Sequence, residues 1–202
     1  MKRLAMISLG AMVAGCAAAG GAPLAAQSVP AHAVSALPAV YPQSTGNPLL
    51  DAAALLAAAD SVTQPEQRAP LIERLDAMNV RLADGAPDDP LGEWRSQHQA
   101  DESNPWRGRT LGPAYRRASL AAGQRVRIEQ IFYAGQRAQI AAQASGGGQV
   151  AIAIANPRAE AVCQKQLSPN ASCDWLPIYT ERFSIELENR GRDNASVYIV
   201  IR

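Results

Sequence analysis

The chain of 202 residues carries 19 Lys and Arg against 18 Asp and Glu, a formal net charge of +1. This balance excludes a general electrostatic attraction to nucleic acid or to an anionic membrane, so any such attraction must come from a local patch. The length suits one medium domain, or a small domain with an appendage, and excludes several large ones.

The first 26 residues have the pattern of an export signal. Lys2 and Arg3 precede an apolar run over residues 4–15, and small residues follow. A membrane-spanning helix needs about 20 apolar residues, and this run is shorter, so a cleaved signal is predicted rather than a membrane anchor. The expected location is the periplasm or envelope of a bacterium, with secretion as the alternative.

Two cleavage products are compatible with this signal. The sequence Val13-Ala14-Gly15-Cys16 resembles the lipobox of bacterial lipoproteins, in which the cysteine is lipidated and holds the protein at a membrane surface. Small residues between Ala17 and Ala26 also suit ordinary signal peptidase, which would release a free protein. Cys16 is therefore a candidate lipidation site, and the sequence does not choose between the two products.

A tether and a helical hairpin are predicted next. Residues 27–46 are rich in Ala, Pro, Ser and Val and carry no charge, which is typical of an extended, poorly ordered tether. The hairpin is predicted over residues 47–85. Its first helix begins with Asn47 as N-cap and Pro48 at the first helical position.

The second helix of this hairpin is predicted from a capping box formed by Thr63 and Glu66, and Gly85 suits the C-cap. It carries an apolar stripe at three-to-four spacing, made up of Leu71, Ile72, Leu75, Met78 and Leu82. An isolated hairpin would be marginally stable, so the stripe is expected to pack on the rest of the chain, on a second copy or on a partner.

Residues 86–105 are rich in Pro, Gly and acidic side chains and predict an acidic linker. From residue 106 the hydrophobic period changes to two, as in the alternation of Phe183, Ile185 and Leu187 with polar residues. Glycine- and proline-containing turns separate these segments at regular intervals. The fold class predicted is therefore α+β, a helical hairpin followed by an antiparallel, jelly-roll-like β-sandwich over residues 106–202.

Cys163 and Cys173 are the two cysteines that remain outside the signal. An even number of cysteines in an oxidising compartment favours a disulfide. A zinc site and a catalytic dithiol lack support, because no histidine lies nearby and the spacing is not Cys-x-x-Cys.

The second half of the chain resembles the bacterial pre-peptidase C-terminal domains. The similarity lies in residues 119–128, 133–135 and 180–189, and in the two cysteines with Trp175. That family consists of exported β-sandwiches, usually appended to secreted hydrolases. No catalytic residue carries over, and the region before the sandwich has no peptidase machinery, so the resemblance implies a binding or stabilising module.

Candidate chemistry is sparse elsewhere. The two histidines, His32 and His98, lie in the tether and the linker, and the motifs of metalloproteases, serine hydrolases and nucleotide-binding loops are missing. The sequence predicts no catalytic, metal or cofactor site. Its clearest local asymmetry is a cluster of basic side chains: Arg107, Arg109, Arg116, Arg117, Arg125, Arg127 and Arg137.

This arginine cluster has two interpretations. It is either a surface for an anionic partner, such as a glycan, a membrane surface or the acidic linker of the same chain, or a solvated strand face. Nucleic acid is disfavoured by export and by the lack of interleaved aromatic residues. We interpret the chain as an exported binding module without catalytic activity. The alternatives are an assembly protein that oligomerises through the hairpin and an accessory domain or inhibitor of a secreted hydrolase.

Overall fold

A computed structural model describes residues 41–98, 112–146 and 148–202. The export signal with Cys16, most of the predicted tether, and Arg107 and Arg109 of the arginine cluster lie outside these residues. Within the part of the chain that the structure covers, no helix is both long and apolar enough to cross a membrane.

Within the described residues, three helices precede the main β-structure. The elements in chain order are α1 Pro48–Ser61, α2 Pro65–Ala77, β1 Arg81–Leu82, α3 Pro90–Gln97, β2 Ala114–Leu120, β3 Arg125–Phe132, β4 Ala138–Ser145, β5 Val150–Ala155, β6 Ala161–Gln166, β7 Asn170–Trp175, β8 Glu181–Asn189 and β9 Ala195–Ile201.

The strands form two sheets that face each other. The five-stranded sheet has the order β1-β2-β9-β4-β7, and the four-stranded sheet has the order β3-β8-β5-β6. All pairs are antiparallel except the short parallel pair of β1 with β2. The predicted α+β class and the β-sandwich are confirmed.

The sandwich core is formed by the alternate residues of each strand that point between the sheets. In β8 these are Phe183, Ile185 and Leu187, all buried, while Ser184 and Glu186 lie on the opposite face. The period of two in the sequence therefore marks the inner face of this strand correctly. A buried cluster of this kind supplies most of the apolar burial that stabilises a small domain.

The helices cover the outer face of the five-stranded sheet and form a second core with it. Leu56 of α1 and Leu75 of α2 are fully buried in this cluster, together with Tyr198 and Val200 from the outer face of β9. The helical part of the predicted apolar stripe, Leu71, Ile72 and Leu75, therefore packs on the rest of its own chain. The predicted end of this helix is wrong, because α2 ends at Ala77, Leu82 lies in β1 and the C-cap is Met78 rather than Gly85. The sequence analysis left three surfaces that this stripe could pack on: the rest of the chain, a second copy or a partner. Because its buried leucines, Leu71 and Leu75, pack against their own chain, they are not available to a second subunit.

The helix starts agree only in part with the sequence prediction. Asn47 caps α1 as predicted, because its side-chain oxygen accepts hydrogen bonds from the Leu49 N–H at 3.0 Å and the Leu50 N–H at 3.4 Å. The predicted cap at Thr63 is wrong, since the N-cap of α2 is Gln64. The start shifts by one residue because this places Pro65 at the first helical position, where its missing N–H costs nothing.

The segment predicted to be an acidic linker contains α3. Asp89 caps this helix by accepting a hydrogen bond from the Gly92 N–H at 2.9 Å, and Leu91 and Trp94 are buried. With eight residues and two large apolar side chains, α3 is too short to show a clear helical period in the sequence. The predicted linker therefore differs from the structure over residues 90–97.

Polar contacts hold α3 against the sheet. The Leu91 N–H donates to the Tyr115 hydroxyl at 3.0 Å, and that hydroxyl donates to the Asp89 carboxylate. Burial raises the pKa of Tyr115, so the phenol stays protonated and keeps donating. The buried guanidinium of Arg68 donates from Nε to the Ala59 carbonyl at 2.9 Å and lies over the Trp94 ring.

The predicted disulfide between Cys163 and Cys173 is present. It joins β6, an edge strand of the four-stranded sheet, to β7, an edge strand of the five-stranded sheet. The bridge therefore ties the two layers together along one side of the sandwich.

Loss of this bridge is expected to lower the free energy of unfolding by about 2 to 3 kcal/mol, because it frees a loop of this length in the unfolded chain. Urea unfolding of the Cys163→Ser, Cys173→Ser double variant would measure the change. A thiol reductant should lower the midpoint of the wild-type protein and leave that of the double variant unchanged. Equal midpoints for wild type and variant would contradict the prediction.

Candidate binding site at the apolar end of the sandwich

Five large apolar side chains lie exposed at one end of the sandwich, and we call this surface the apolar end. Their exposed fractions lie between 44% and 81%. They come from the end of β3, the β3–β4 turn and the β7–β8 connection: Ile131, Tyr133, Leu176, Ile178 and Tyr179. Large apolar side chains that are exposed on neighbouring segments are a feature of interaction sites.

Hydrogen bonds join the two loops of the apolar end. The Gly135 N–H donates to the Pro177 carbonyl at 2.9 Å, and the Ala134 N–H donates to the Thr180 hydroxyl at 3.0 Å. Gly135 has a φ of +70°, a conformation that glycine adopts without strain. The two loops therefore form a single surface whose shape is fixed by the backbone.

An aromatic cluster supports the apolar end from below. The Phe132 and Trp175 rings meet edge to face with centroids 4.8 Å apart, and Phe183 lies 5.7 Å from Phe132 and 5.5 Å from Trp175. The exposed Tyr133 and Leu176 directly follow Phe132 and Trp175 in the chain. Since these two anchors are packed against the sandwich core, the positions of the exposed side chains are fixed by their neighbours.

The charges beside the apolar end are paired with each other. Arg137 contacts Asp174 at 2.7 Å, and Arg182 lies 4.0 Å from Glu129. The hydrogen bond from Arg137 holds the pKa of the Asp174 carboxyl below its usual value, so this pair stays ionised and neutral overall at physiological pH. The apolar end is therefore flanked by ion pairs rather than by excess positive charge.

Sequence reasoning missed this site. The signal available was the run Leu176-Pro177-Ile178-Tyr179, which places three large apolar residues shortly before the predicted strand that contains Phe183. Connections between strands are normally polar. A connection with several large apolar residues therefore indicates a candidate interaction surface.

The predicted arginine cluster is divided by the fold. Arg117 donates from Nε to Asp88 at 2.7 Å and lies 3.6 Å from Asp60. Arg125 donates from Nε to Glu188 at 3.0 Å. Hydrogen bonds from Arg190 and Arg125 hold the pKa of the Glu188 carboxyl below its usual value. These two arginines are thus neutralised within the chain.

Two other members of the cluster, Arg116 and Arg127, line a cleft between β2 and β3. Neither forms an ion pair with another described residue. The described residues also hold no group of three His, Cys, Asp or Glu side chains arranged to bind a metal ion. The cluster is therefore not one continuous basic surface.

Comparisons with known proteins give only distant likenesses. No family model and no curated protein matches the chain. Among solved structures, Aeromonas hydrophila PliG, a periplasmic inhibitor of g-type lysozyme, is 13% identical with a TM-score of 0.34, over 45% of this chain and 86% of its own.

The Yersinia pseudotuberculosis-derived mitogen is 5% identical with a TM-score of 0.35, over 45% of this chain and 84% of its own. A de novo designed double-stranded β-helix is 14% identical with a TM-score of 0.31, over 44% of this chain and 97% of its own. Likenesses at these scores carry no argument about function.

Proposed function

We propose that this protein is an exported, non-catalytic binding module that docks onto a partner protein through the apolar end. The observation that carries the proposal is the exposure of five large apolar side chains, four on two loops joined by hydrogen bonds and one, Ile131, at the end of β3. Tyrosine and large aliphatic side chains on a fixed backbone are suited to fill apolar pockets, because little conformational entropy is lost when they bind.

The paired charges favour a protein over a membrane as the partner. A loop that inserts into a bilayer gains much of its affinity from unpaired Lys and Arg beside the apolar residues. Here Arg137 is held by Asp174 and Arg182 lies near Glu129. The attraction to anionic headgroups is therefore weak, and the free energy of docking must come from burial of apolar surface.

The disulfide supports the exported location, because such bonds persist in oxidising compartments. The export signal and the resemblance to pre-peptidase C-terminal domains support the same assignment. Lipidation of Cys16 stays a prediction. If the partner is a secreted hydrolase, the apolar end would serve the accessory or inhibitory role that the sequence analysis left open.

The proposal is tested with a photo-crosslinking amino acid at position 178 in the native cell, followed by purification of the captured partner. Ile178→Asp is expected to weaken the measured Kd roughly 30-fold or more, because loss of a central anchor costs about 2 kcal/mol or more. Val162→Asp is the matched control, since Val162 is also exposed but lies on β6, outside the apolar end.

Two outcomes would contradict this function. One is a cross-link pattern at position 178 that equals the pattern at position 158, an exposed site in the β5–β6 turn. The other is co-sedimentation of the wild-type protein, but not of Ile178→Asp, with phosphatidylglycerol vesicles, which would assign the apolar end to a lipid surface.

A further inference from the structure

An open cleft of about 710 Å³ lies between β2 and β3. In the described part of the chain, both strands have a free edge on the same side of the sandwich. Among these residues β3 is the first strand of its sheet and pairs only with β8, while β1 covers only the first two residues of β2. A free edge presents unpaired backbone N–H and C=O groups that a further strand can complete.

Arg116 projects into this cleft from the inner side of β2. Its neighbours Tyr115 and Arg117 face the helices, so Arg116 lies on the same face as the core residues Ala118 and Leu120. Its guanidinium therefore reaches the opening of the apolar core between the two sheets. Burial lowers the pKa of this guanidinium, which shows that its surroundings disfavour the charge.

The guanidinium of Arg116 is incompletely satisfied. Its Nε is buried and has no hydrogen-bond partner within the described part of the chain, and one terminal nitrogen makes a long contact of 3.5 Å to the Asp84 carbonyl. Arg117 and Arg125, by contrast, each have a carboxylate on Nε. A buried hydrogen-bond donor without a partner destabilises the folded state, and native proteins contain few of them.

The lining of the cleft matches an extended segment with alternating side chains. Val126 and Ile128 of β3 face inward, while Arg127 and Glu129 face solvent. Of the acidic residues in the lining, Asp88 is bound by Arg117 and Glu129 lies near Arg182. The lining carries three arginines and three acidic residues, so its formal charges balance, and the position for a carboxylate is given by Arg116, whose Nε has no partner among the described residues.

We propose that this cleft binds an extended acidic peptide segment, which adds as a strand to the free edge of β3 and places a carboxylate on Arg116. Backbone hydrogen bonds to the edge of β3 supply affinity. The carboxylate accepts hydrogen bonds from the Nε and the terminal nitrogens of the Arg116 guanidinium. Residues two positions apart in an extended segment share one face, so a glutamate on the inward face reaches Arg116 while apolar side chains two positions before and after it contact Val126 and Ile128. The cleft and the apolar end are separate surfaces, and neither proposal depends on the other.

The experiment uses a fluorescent hexapeptide of sequence Val-Thr-Glu-Thr-Val-Thr, which puts one glutamate between two valines on the same face, and follows its fluorescence anisotropy with the full exported chain. Saturable binding at or below about 1 mM is expected. The same peptide with glutamine in place of glutamate should bind roughly tenfold more weakly or worse, because the charge-assisted hydrogen bonds are lost. A peptide N-methylated at alternate residues should also lose binding, since it cannot pair with the edge of β3.

The substitution Arg116→Gln should weaken binding of the acidic peptide by roughly tenfold or more. The control is Arg158→Gln, which replaces an exposed arginine in the β5–β6 turn and should leave the affinity unchanged. The melting temperature of Arg116→Met should equal or exceed that of the wild type, because the buried Nε donor is removed and no polar atom takes its place. A purely structural arginine would give the opposite, a lower melting temperature.

Three results would overturn the proposal. They are absence of binding up to about 1 mM peptide, equal affinity of the acidic and glutamine peptides, and full retention of binding by Arg116→Gln. If sodium acetate competed as effectively as unlabelled peptide, the cleft would be a site for small anions. The proposal that a peptide adds as a strand would then be wrong.

Discussion

The variant Asn189→Asp is expected to lower the free energy of unfolding at neutral pH by about 3 to 5 kcal/mol, because it places an unpaired charge in a buried site. Asn189 is completely buried at the end of β8. Its side-chain nitrogen donates to the carbonyls of Leu120 at 3.3 Å, Ala121 at 3.2 Å and Asp193 at 2.8 Å.

The remaining polar groups of Asn189 are bonded as well. Its side-chain oxygen accepts from the Gly191 N–H at 2.9 Å, and its backbone exchanges hydrogen bonds with the β2–β3 loop at Gly123 and Gln124. One residue thus connects the loop that joins the two sheets with the turn between β8 and β9. An aspartate keeps the acceptor but turns the donor into an oxygen that faces three carbonyl oxygens.

This substitution should make stability dependent on pH. Burial and the facing carbonyls raise the pKa of the introduced carboxyl in the folded state above its unfolded value of about 3.9. The loss of stability is therefore small below the unfolded pKa, grows as the pH rises through the interval between the two pKa values, and is complete above the folded pKa. The wild-type amide does not titrate.

Urea unfolding of Asn189→Asp at pH 3.5 and pH 7 measures this effect. Asn194→Asp is the control, because Asn194 is exposed in the same turn and its replacement should change stability by less than about 0.5 kcal/mol. A stability difference from wild type that is the same at both pH values would show that the carbonyl oxygens do not face the introduced carboxylate.

Strands with one buried face could be predicted from the sequence, whereas β6, whose residues are nearly all exposed, shows no such alternation. In β8 the alternation of Phe183, Ile185 and Leu187 with polar residues reports that face directly. The disulfide followed from the number of cysteines and the export signal. These features depend on local pattern and composition, which a single sequence contains.

The covering of the sheet by the helices was harder to predict, although β9 carried a signal. Val197, Tyr198, Ile199, Val200 and Ile201 form a continuous apolar run, and a strand apolar on both faces is buried on both sides. The sequence analysis assigned one apolar face to each strand. The structure shows that Val197 and Ile199 face the sandwich while Tyr198 and Val200 face the helices.

The candidate sites depended on contacts between distant segments, which single-sequence patterns do not contain. The apolar end brings the β3–β4 turn beside Pro177, about forty positions away. The arginine cluster was visible in the sequence, but its division was not, because Arg125 and Glu188 are 63 positions apart. Pairing across the sheet decides which arginines are neutralised.

The variant Leu56→Ala is expected to lower the free energy of unfolding by about 2 to 5 kcal/mol, because it leaves a cavity in a fully buried site. Leu56 lies in the core between α1 and the outer face of the five-stranded sheet. Leu50→Ala, at a partly buried position of the same helix, is the matched control and should cost about 1 kcal/mol.

The same variant tests whether the helices and the sandwich unfold together. β9 contributes Val197 and Ile199 to the sandwich core and Tyr198 and Val200 to the helical core, so loss of one core exposes a strand that the other requires. We therefore expect one cooperative unit.

Native-state hydrogen exchange of Leu56→Ala should show equal losses of protection in α1 and in β8, although β8 lies in the sheet that the helices do not cover. If α1 lost protection while β8 kept its wild-type value, the helices would form a separate unit, as the predicted division into hairpin, linker and sandwich implies. The shared strand argues against this, because unpacking of the helices would expose the apolar Tyr198 and Val200 of β9 to water and so destabilise the strand that also supplies Val197 and Ile199 to the sandwich core.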